Sequence, residues 1–188
     1  LNCTMSDRMS RLPSDIVLKA NPVNFVLSKG SCRNRVSLLS FLDRRRFPEF
    51  RIELESLLKL QREDGSWPFD ANIGYPSSVL ETAWSFEALA DAGETQSKVI
   101  KKAANWLFGQ QKERGSWAEV KDLKGLASWW MTPGRSSHAT TSDVVAALSR
   151  QGFRKDDERV SLALEYLRAR QFRAGGWGWR FPHAWGTV

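Results

Sequence analysis

Cysteine is scarce in this chain of 188 residues, which contains Cys3 and Cys32 alone. Neither cysteine belongs to a C-x-x-C pair or to a cysteine/histidine cluster with metal-ligand spacing. This pattern argues against a disulfide framework and against a zinc site. We therefore expect no bound metal, and a reducing, cytoplasmic setting fits the composition best.

Nucleotide-binding and hydrolase signatures are lacking as well. The sequence contains no G-x-G-x-x-G, no Walker loop and no G-x-S-x-G nucleophile elbow. Dinucleotide binding, P-loop chemistry and a serine-hydrolase elbow therefore have no support. No apolar run approaches the roughly 18 residues of a membrane-spanning helix. We expect neither a cofactor nor a membrane span.

Acidic residues are few at the amino-terminal end of the chain. The net charge is +7, and residues 1–51 carry +6 of it, including the run Arg44, Arg45 and Arg46. Such a segment could make a peripheral contact with an anionic membrane surface, although a solvated basic face is the simpler interpretation. Basic and aromatic residues form no recognition-module pattern, which disfavours a nucleic-acid partner.

Tryptophan, by contrast, is abundant, and three of the nine tryptophans mark an internal repeat. Residues 61–67 read Q-R-E-D-G-S-W, residues 111–117 read Q-K-E-R-G-S-W and residues 171–177 read Q-F-R-A-G-G-W. We call these segments the first, second and third Gln–Trp turns, and their 50- and 60-residue spacing indicates a helical-repeat fold. The repeated residues are Gln61, Gly65, Trp67, Gln111, Gly115, Trp117, Gln171, Gly175 and Trp177.

Each Gln–Trp turn ends one predicted helix, and the first two lead to another. Residues 51–60 have the apolar period of an amphipathic helix. A second helix with few charges begins at Ser77 or Ser78 and is closed by Gly93, and residues 138–150 repeat it after the second turn. The outer helices are polar on one face, whereas the inner helices are more apolar. The sequence therefore predicts an all-α protein of stacked helical hairpins.

The repeat also divides the chain. We predict a basic helical extension over residues 1–50 and a repeat domain over residues 51–188, truncated at its carboxyl end. In each turn, the tryptophan ring is expected to pack against a neighbouring unit. The glutamine amide is expected to satisfy backbone groups at a helix end, and the glycine to adopt a left-handed or crowded backbone.

The pattern Q-x-x-x-G-x-W, preceded by a leucine-rich helix and followed by a Thr/Ala-rich helix, resembles the QW repeat of squalene–hopene and oxidosqualene cyclases. Related repeats build the β-subunits of protein prenyltransferases. The resemblance covers about residues 51–188. It implies an α/α toroid with inner and outer helices around an apolar cavity for an isoprenoid. Three hairpins, one of them incomplete, do not close such a ring, so we expect a homodimer or continuation in a longer chain.

The resemblance also implies where catalytic residues would lie. These cyclases protonate an alkene or epoxide with an aspartic acid of a D-x-D-D motif at the start of an inner helix. The matching tetrads here are S-V-L-E at residues 78–81 and S-H-A-T at residues 137–140. Glu81 keeps one carboxyl group at the final position. The zinc-binding Asp/Cys/His set of the prenyltransferases is missing, because no cysteine follows Cys32.

The remaining candidates lie near the starts of the inner helices and in the long connection after the second turn. Glu81 and Asp143 are the candidate catalytic carboxyl groups. Aromatic faces stabilise carbocations, so tryptophans near these carboxyl groups are candidate ligand contacts. The candidate ligand-binding residues are Trp84, Trp129, Trp130, His138 and Thr140.

Each of these residues also has a structural interpretation. Glu81 could form a salt bridge with an outer helix, and Asp143 a hydrogen bond between helices. His138 could be a helix-start residue with a backbone partner, which we favour. Trp129 and Trp130 could plug a loop over the core.

The sequence therefore supports two hypotheses about function. The first is a terpenoid cyclase-like or prenyltransferase-like repeat domain that handles an isoprenoid or other apolar ligand, with an incomplete set of catalytic residues. If it is active, its chemistry would be that of an isoprenoid cyclase or transferase. The second is a non-enzymatic helical-repeat module whose curved face binds a protein partner.

Overall fold

The structure, a computed structural model, describes residues 21–71, 74–126, 131 and 133–178. Over these residues it is built from helices, with one two-stranded ladder formed by β1 (Trp67–Pro68) and β2 (Ser77–Ser78). The helices are α1 (Pro22–Lys29), α2 (Cys32–Phe41), α3 (Pro48–Lys59), α4 (Val79–Asp91), α5 (Lys98–Gly109), α6 (His138–Arg150) and α7 (Glu158–Ala169). Short 3₁₀ turns occupy Phe69–Ala71 and Lys121–Leu123.

The helices form two rows. The inner helices α4 and α6 lie side by side with the most extensive helix–helix contact of the fold, and α2 also packs against α4. The outer helices α3, α5 and α7 each keep one exposed face. This arrangement of helical hairpins confirms the predicted all-α fold of the α/α-toroid type, here as an incomplete ring.

The core lies between the two rows. Trp67 and Trp117 are fully buried in it, together with apolar residues from α2 to α7. A tryptophan side chain removes a large apolar area from water, so these two rings are major contributors to the stability of the fold. The first and second Gln–Trp turns thus place their tryptophans where the inner and outer rows of helices meet.

Helix starts follow the predicted capping signals. The Ser78 hydroxyl accepts a hydrogen bond from the backbone N–H of Glu81, and the Ser137 hydroxyl caps α6 in the same way. The start of α3 differs from the predicted helix over residues 51–60: the helix begins at Pro48. Proline lacks the N–H that a first-turn residue leaves unpaired anyway, so it starts this helix instead of breaking it.

The predicted division at residue 50 stays a prediction. Cys32, Val36 and Leu39 of α2 belong to the same buried cluster as the repeat helices, so α2 and the repeats share one core. No helix in the described parts of the chain is long and apolar enough to cross a membrane.

Candidate functional site

The Gln–Trp turns join each outer helix to its own inner helix through tryptophan. The indole N–H of Trp67 donates to the carbonyl of Leu57 near the end of α3, at 2.8 Å, and its backbone N–H donates to the Thr82 hydroxyl of α4 at 2.9 Å. Trp117 makes the equivalent bonds to Leu107 and Thr141. Because the carbonyls in a last helical turn lack helical partners, the indole stabilises the end of the outer helix.

Glutamine instead connects the first and second turns to the next unit. The Gln61 amide donates to the Gly65 carbonyl at 3.1 Å and to Val99, the second residue of α5, at 3.0 Å. Gln111 repeats this with Gly115 and with Arg159, the second residue of α7. Tryptophan thus bonds to the end of the preceding outer helix, and glutamine bonds to the start of the following one.

Glycine makes this close approach possible. Gly65 has a φ of +99°, and a Cβ atom there would lie 2.4 Å from the carbonyl oxygen of Lys102 in α5. Gly115 meets Leu162 of α7 in the same way. Gly175 has a similar φ, +96°, but nothing lies within 4 Å of its added Cβ. Gln171 correspondingly bonds to the Gly175 carbonyl within its own turn.

Glu81 is paired with an arginine from α2. Arg33 donates from Nε to Oε1 at 2.8 Å and from its terminal nitrogen to Oε2 at 3.3 Å. Glu81 is buried, and the guanidinium also lies 5.1 Å from the centre of the Trp84 ring. The salt bridge foreseen as the structural alternative is thus present, but its arginine belongs to α2 and not to an outer helix.

Asp143 approaches the same tryptophan from α6. Trp84 and Glu87 both lie close enough to the Asp143 carboxyl group to influence its pKa. Burial, followed by repulsion from Glu87, raises the pKa of Asp143 to about 6, although Trp84 acts in the opposite direction. The structure therefore links Glu81 to Trp84 through Arg33, and it places Trp84 close to Asp143.

The other candidates lie elsewhere. His138 is the first residue of α6 and lines a cavity with Tyr166 and Arg170 of the third unit. Burial, and then the charge of Arg170, lowers the pKa of His138. Thr140 is buried at the start of α6. Trp129 and Trp130 lie outside the described residues.

Sequence reasoning did not identify Glu119, a carboxylate with 1% exposure that follows the second Gln–Trp turn. Its oxygens accept the backbone N–H groups of Val79 at 2.7 Å and Leu80 at 3.1 Å, and the Ser78 hydroxyl at 2.8 Å. A negative charge at a helix amino terminus is favourable, so Glu119 caps α4 from the neighbouring unit. The repeat offers a signal for this residue: position 119 holds a glutamate, whereas the matching position of the first unit holds Phe69.

The described residues contain no group of three or more histidine, cysteine, aspartate or glutamate side chains that could hold a metal ion. The site that can be described consists of two carboxyl groups, an indole and a guanidinium, contributed by α4, α6 and α2.

Comparisons with known proteins agree with this architecture. The family model for the squalene-hopene cyclase C-terminal domain matches residues 31–180. The chain belongs to this family, and its helical hairpins are those of a terpenoid cyclase-like domain. The matched region begins at the amino-terminal cap of α2.

Several curated proteins are similar over part of the chain. The squalene–hopene cyclase of Bradyrhizobium diazoefficiens is 32% identical over 83 residues, which is 39% of this chain and 13% of that protein. The probable squalene–hopene cyclase of Sinorhizobium fredii is 35% identical over the same length, with the same coverage. Lanosterol synthase of Saccharomyces cerevisiae is 27% identical over 129 residues, 68% of this chain and 17% of that enzyme. The chain thus matches less than a fifth of each of these relatives.

Proposed function

We propose that this chain is part of a terpenoid cyclase-like protein, in which its inner helices bind an isoprenoid or other apolar ligand without supplying the proton donor. The observation that carries this proposal is the Arg33–Glu81 ion pair. Glu81 is the carboxyl group that the family resemblance places at the end of the acidic tetrad. Both of its oxygens accept hydrogen bonds from a guanidinium, an arrangement that suits a carboxylate and not a carboxylic acid.

The other residues of the tetrad have structural roles. Ser78 caps α4 and donates to Glu119, whereas Val79 and Leu80 are buried and apolar. Protonating an alkene needs an acid that gives up its proton readily in a dry pocket. Asp143, whose pKa is raised to about 6, holds its proton more tightly than an ordinary aspartic acid does. The described carboxyl groups are therefore better suited to positioning or to facing a cation than to starting a cyclisation.

Ligand retention tests the binding part of this proposal. We would incubate the chain with squalene and measure retained ligand by native mass spectrometry. We expect retention by the unmodified chain and loss on Trp84→Ala. Trp106→Ala is the matched control, because Trp106 lies on the outer helix α5 and is also only partly buried. An equal loss of retained squalene in both variants, or no retention by the unmodified chain, would contradict the proposed pocket.

Product analysis tests the catalytic part. We expect the chain to convert no squalene into a cyclic product, as judged by gas chromatography of the extracted lipid. A cyclic product that disappears on Asp143→Asn would show instead that Asp143 starts the reaction.

A second function is favoured by one separate observation. Phe25, Phe41 and Ile52 of α1 to α3 are 62%, 67% and 62% exposed. A contiguous exposed apolar surface is typical of interaction sites, so we propose that these residues form one surface that binds a protein partner or a second copy of the chain. A sedimentation measurement distinguishes these cases, since a homodimer should dissociate on Ile52→Ser.

A further inference from the structure

We propose that the third Gln–Trp turn binds the outer helix α3 of a second copy of this chain. In the described parts of the chain, the first and second turns each hold the outer helix that follows them, whereas no outer helix follows the third. The third turn is nevertheless folded like the other two. The indole of Trp177 donates to the carbonyl of Leu167 at 2.9 Å, and the Gln171 amide donates to the carbonyl of Gly175.

The contact surface of the third turn is exposed. Gly65 and Gly115 are buried against the helices that follow them, whereas Gly175 is exposed and would have nothing within 4 Å of an added Cβ atom. The amide nitrogen of Gln171 makes one hydrogen bond within the described residues, but its counterparts in the other turns make two each. The third turn therefore keeps a donor and open space where the other turns bind an outer helix.

Helix α3 has the register of an outer helix that such a turn holds. Its third residue, Phe50, is buried, as are the third residues of α5 and α7. Its tenth residue, Leu57, accepts the indole N–H of a turn, as the tenth residues of α5 and α7 do. A turn contacts the second and fifth residues of an outer helix, which in α3 are Glu49 and Ile52. Both are exposed, so this contact face of α3 is accessible.

The charges of the two surfaces also match. The first turn contains Glu63, and the helix that it holds, α5, has three lysines among its first five residues. In the third turn the position of Glu63 is occupied by Arg173, whereas α3 has Glu49 in its first turn. Arg51 of α3 lies 3.8 Å from Glu55 of the same helix. Complementary charge favours one partner over another, so the third turn suits α3 better than it suits α5.

The helix must come from a second copy because of the order of the outer row. The turn that follows α3 holds α5, and the turn that follows α5 holds α7, so α5 lies between α3 and the third turn of the same copy. This inference goes beyond the second function proposed above, since it names the surface that receives Ile52. It does not depend on ligand binding by the inner helices.

The first experiment compares two glycine variants by sedimentation velocity of the full chain, from micromolar to millimolar concentration. Gly175→Ala places a Cβ atom where the equivalent glycines would meet a helix carbonyl at 2.4 Å. Gly152→Ala is the matched control, because Gly152 has a φ of +92° and also has nothing within 4 Å of an added Cβ atom. We expect the unmodified chain and Gly152→Ala to associate equally, and Gly175→Ala to associate about tenfold more weakly.

Denaturation separates this effect from unfolding. Both glycines have positive φ and open surroundings, so the two alanine variants should lose the same small amount of stability. Urea denaturation of dilute, monomeric samples measures this. A difference between the variants that appears only in sedimentation then reports the contact between copies.

A mixing experiment identifies the two surfaces. Ile52→Arg places a charge on the contact face of α3, so this variant should also associate about tenfold more weakly. Gly175→Ala keeps an intact α3, and Ile52→Arg keeps an intact third turn. An equimolar mixture of the two variants should therefore associate more strongly than either variant alone at the same total concentration, as measured by the weight-average sedimentation coefficient.

Three results would overturn the proposal: an unmodified chain that stays monomeric at every concentration, equal association of Gly175→Ala and Gly152→Ala, or no gain on mixing. Weaker association of Ile52→Arg without any change in Gly175→Ala would also overturn it. That outcome would still support the second function, because the copies would then meet through the apolar surface of Phe25, Phe41 and Ile52. The failure of one proposal is thus distinguishable from the failure of the other.

Discussion

Glu119 caps a helix that begins forty residues earlier in the chain, with its Oε1 atom 2.7 Å from the backbone nitrogen of Val79. The capped helix, α4, belongs to one repeat unit, and the capping residue follows the turn of the next. Successive units are therefore joined at their inner ends by a buried charge, as well as at their outer ends by glutamine.

Replacing this charge should destabilise the fold. In Glu119→Gln the amide nitrogen cannot accept a hydrogen bond, so at least one backbone N–H of α4 loses its partner. We expect the free energy of unfolding to fall by about 2 kcal/mol. Urea denaturation measures this, and Glu113→Gln, at an exposed position of the second Gln–Trp turn, is the control. Similar small effects in both variants would show that Glu119 contributes no net stability.

Two glycines with nearly the same backbone conformation allow the contact between units to be measured. Gly65→Ala and Gly175→Ala both place a side chain at positive φ, which costs about 1–2 kcal/mol. Gly65→Ala also forces a Cβ atom against Lys102, at 2.4 Å, so it should cost about 2 kcal/mol more. Chemical denaturation of the two variants gives the difference directly. Equal costs would mean that α5 moves away freely from the first turn.

Asp143 should make stability depend on pH. Its pKa is about 6 in the folded chain and 3.8 as the ordinary value. The folded state thus binds the proton more tightly, so stability should fall as pH rises from about 4 to 6 and level off above that. Relative to Asp143→Asn, the fall should be roughly 2 kcal/mol after allowing for partial exposure. Urea melts across this pH range test it, with Asp122→Asn as the control for an exposed aspartate.

The Arg33–Glu81 pair should show strong coupling. Arg33→Met leaves a buried carboxylate without its partner and should cost about 3 kcal/mol. Adding Glu81→Gln removes that charge, so the double variant should be more stable than Arg33→Met alone. A double-mutant cycle measures the coupling free energy. Additive effects of the two substitutions would contradict a direct interaction.

The helices were predictable from sequence because their signals are local. Residues 138–150 were predicted as a helix and form α6 with those bounds, since Ser137 and Gly152 mark its ends within a few residues. The start of α3 was placed at residue 51 and not at Pro48, because proline both breaks a helix and begins one, and the choice depends on the residues that follow.

The candidate site was less predictable because its partners are distant in sequence. Glu81 was identified, but Arg33 lies 48 positions earlier, in a segment assigned to a separate extension. Glu119 was missed because its role depends on the amino terminus of a helix in another unit. The contact of Trp84 with Asp143 likewise requires α4 and α6 to be neighbours, which periodicity alone does not specify.

The Gln–Trp turns give the chain a direction beyond that of its backbone. The first and second turns each hold the outer helix that follows, at its second residue through glutamine and at its fifth through glycine. By the same count, the fifth residue of α3 is Ile52, which is exposed. The two sides of a unit therefore differ: one side presents a Gln–Trp turn, and the other presents an exposed face of an outer helix. A fragment cut from such an array would bind different partners at its two ends, and any association of copies through both would run head to tail.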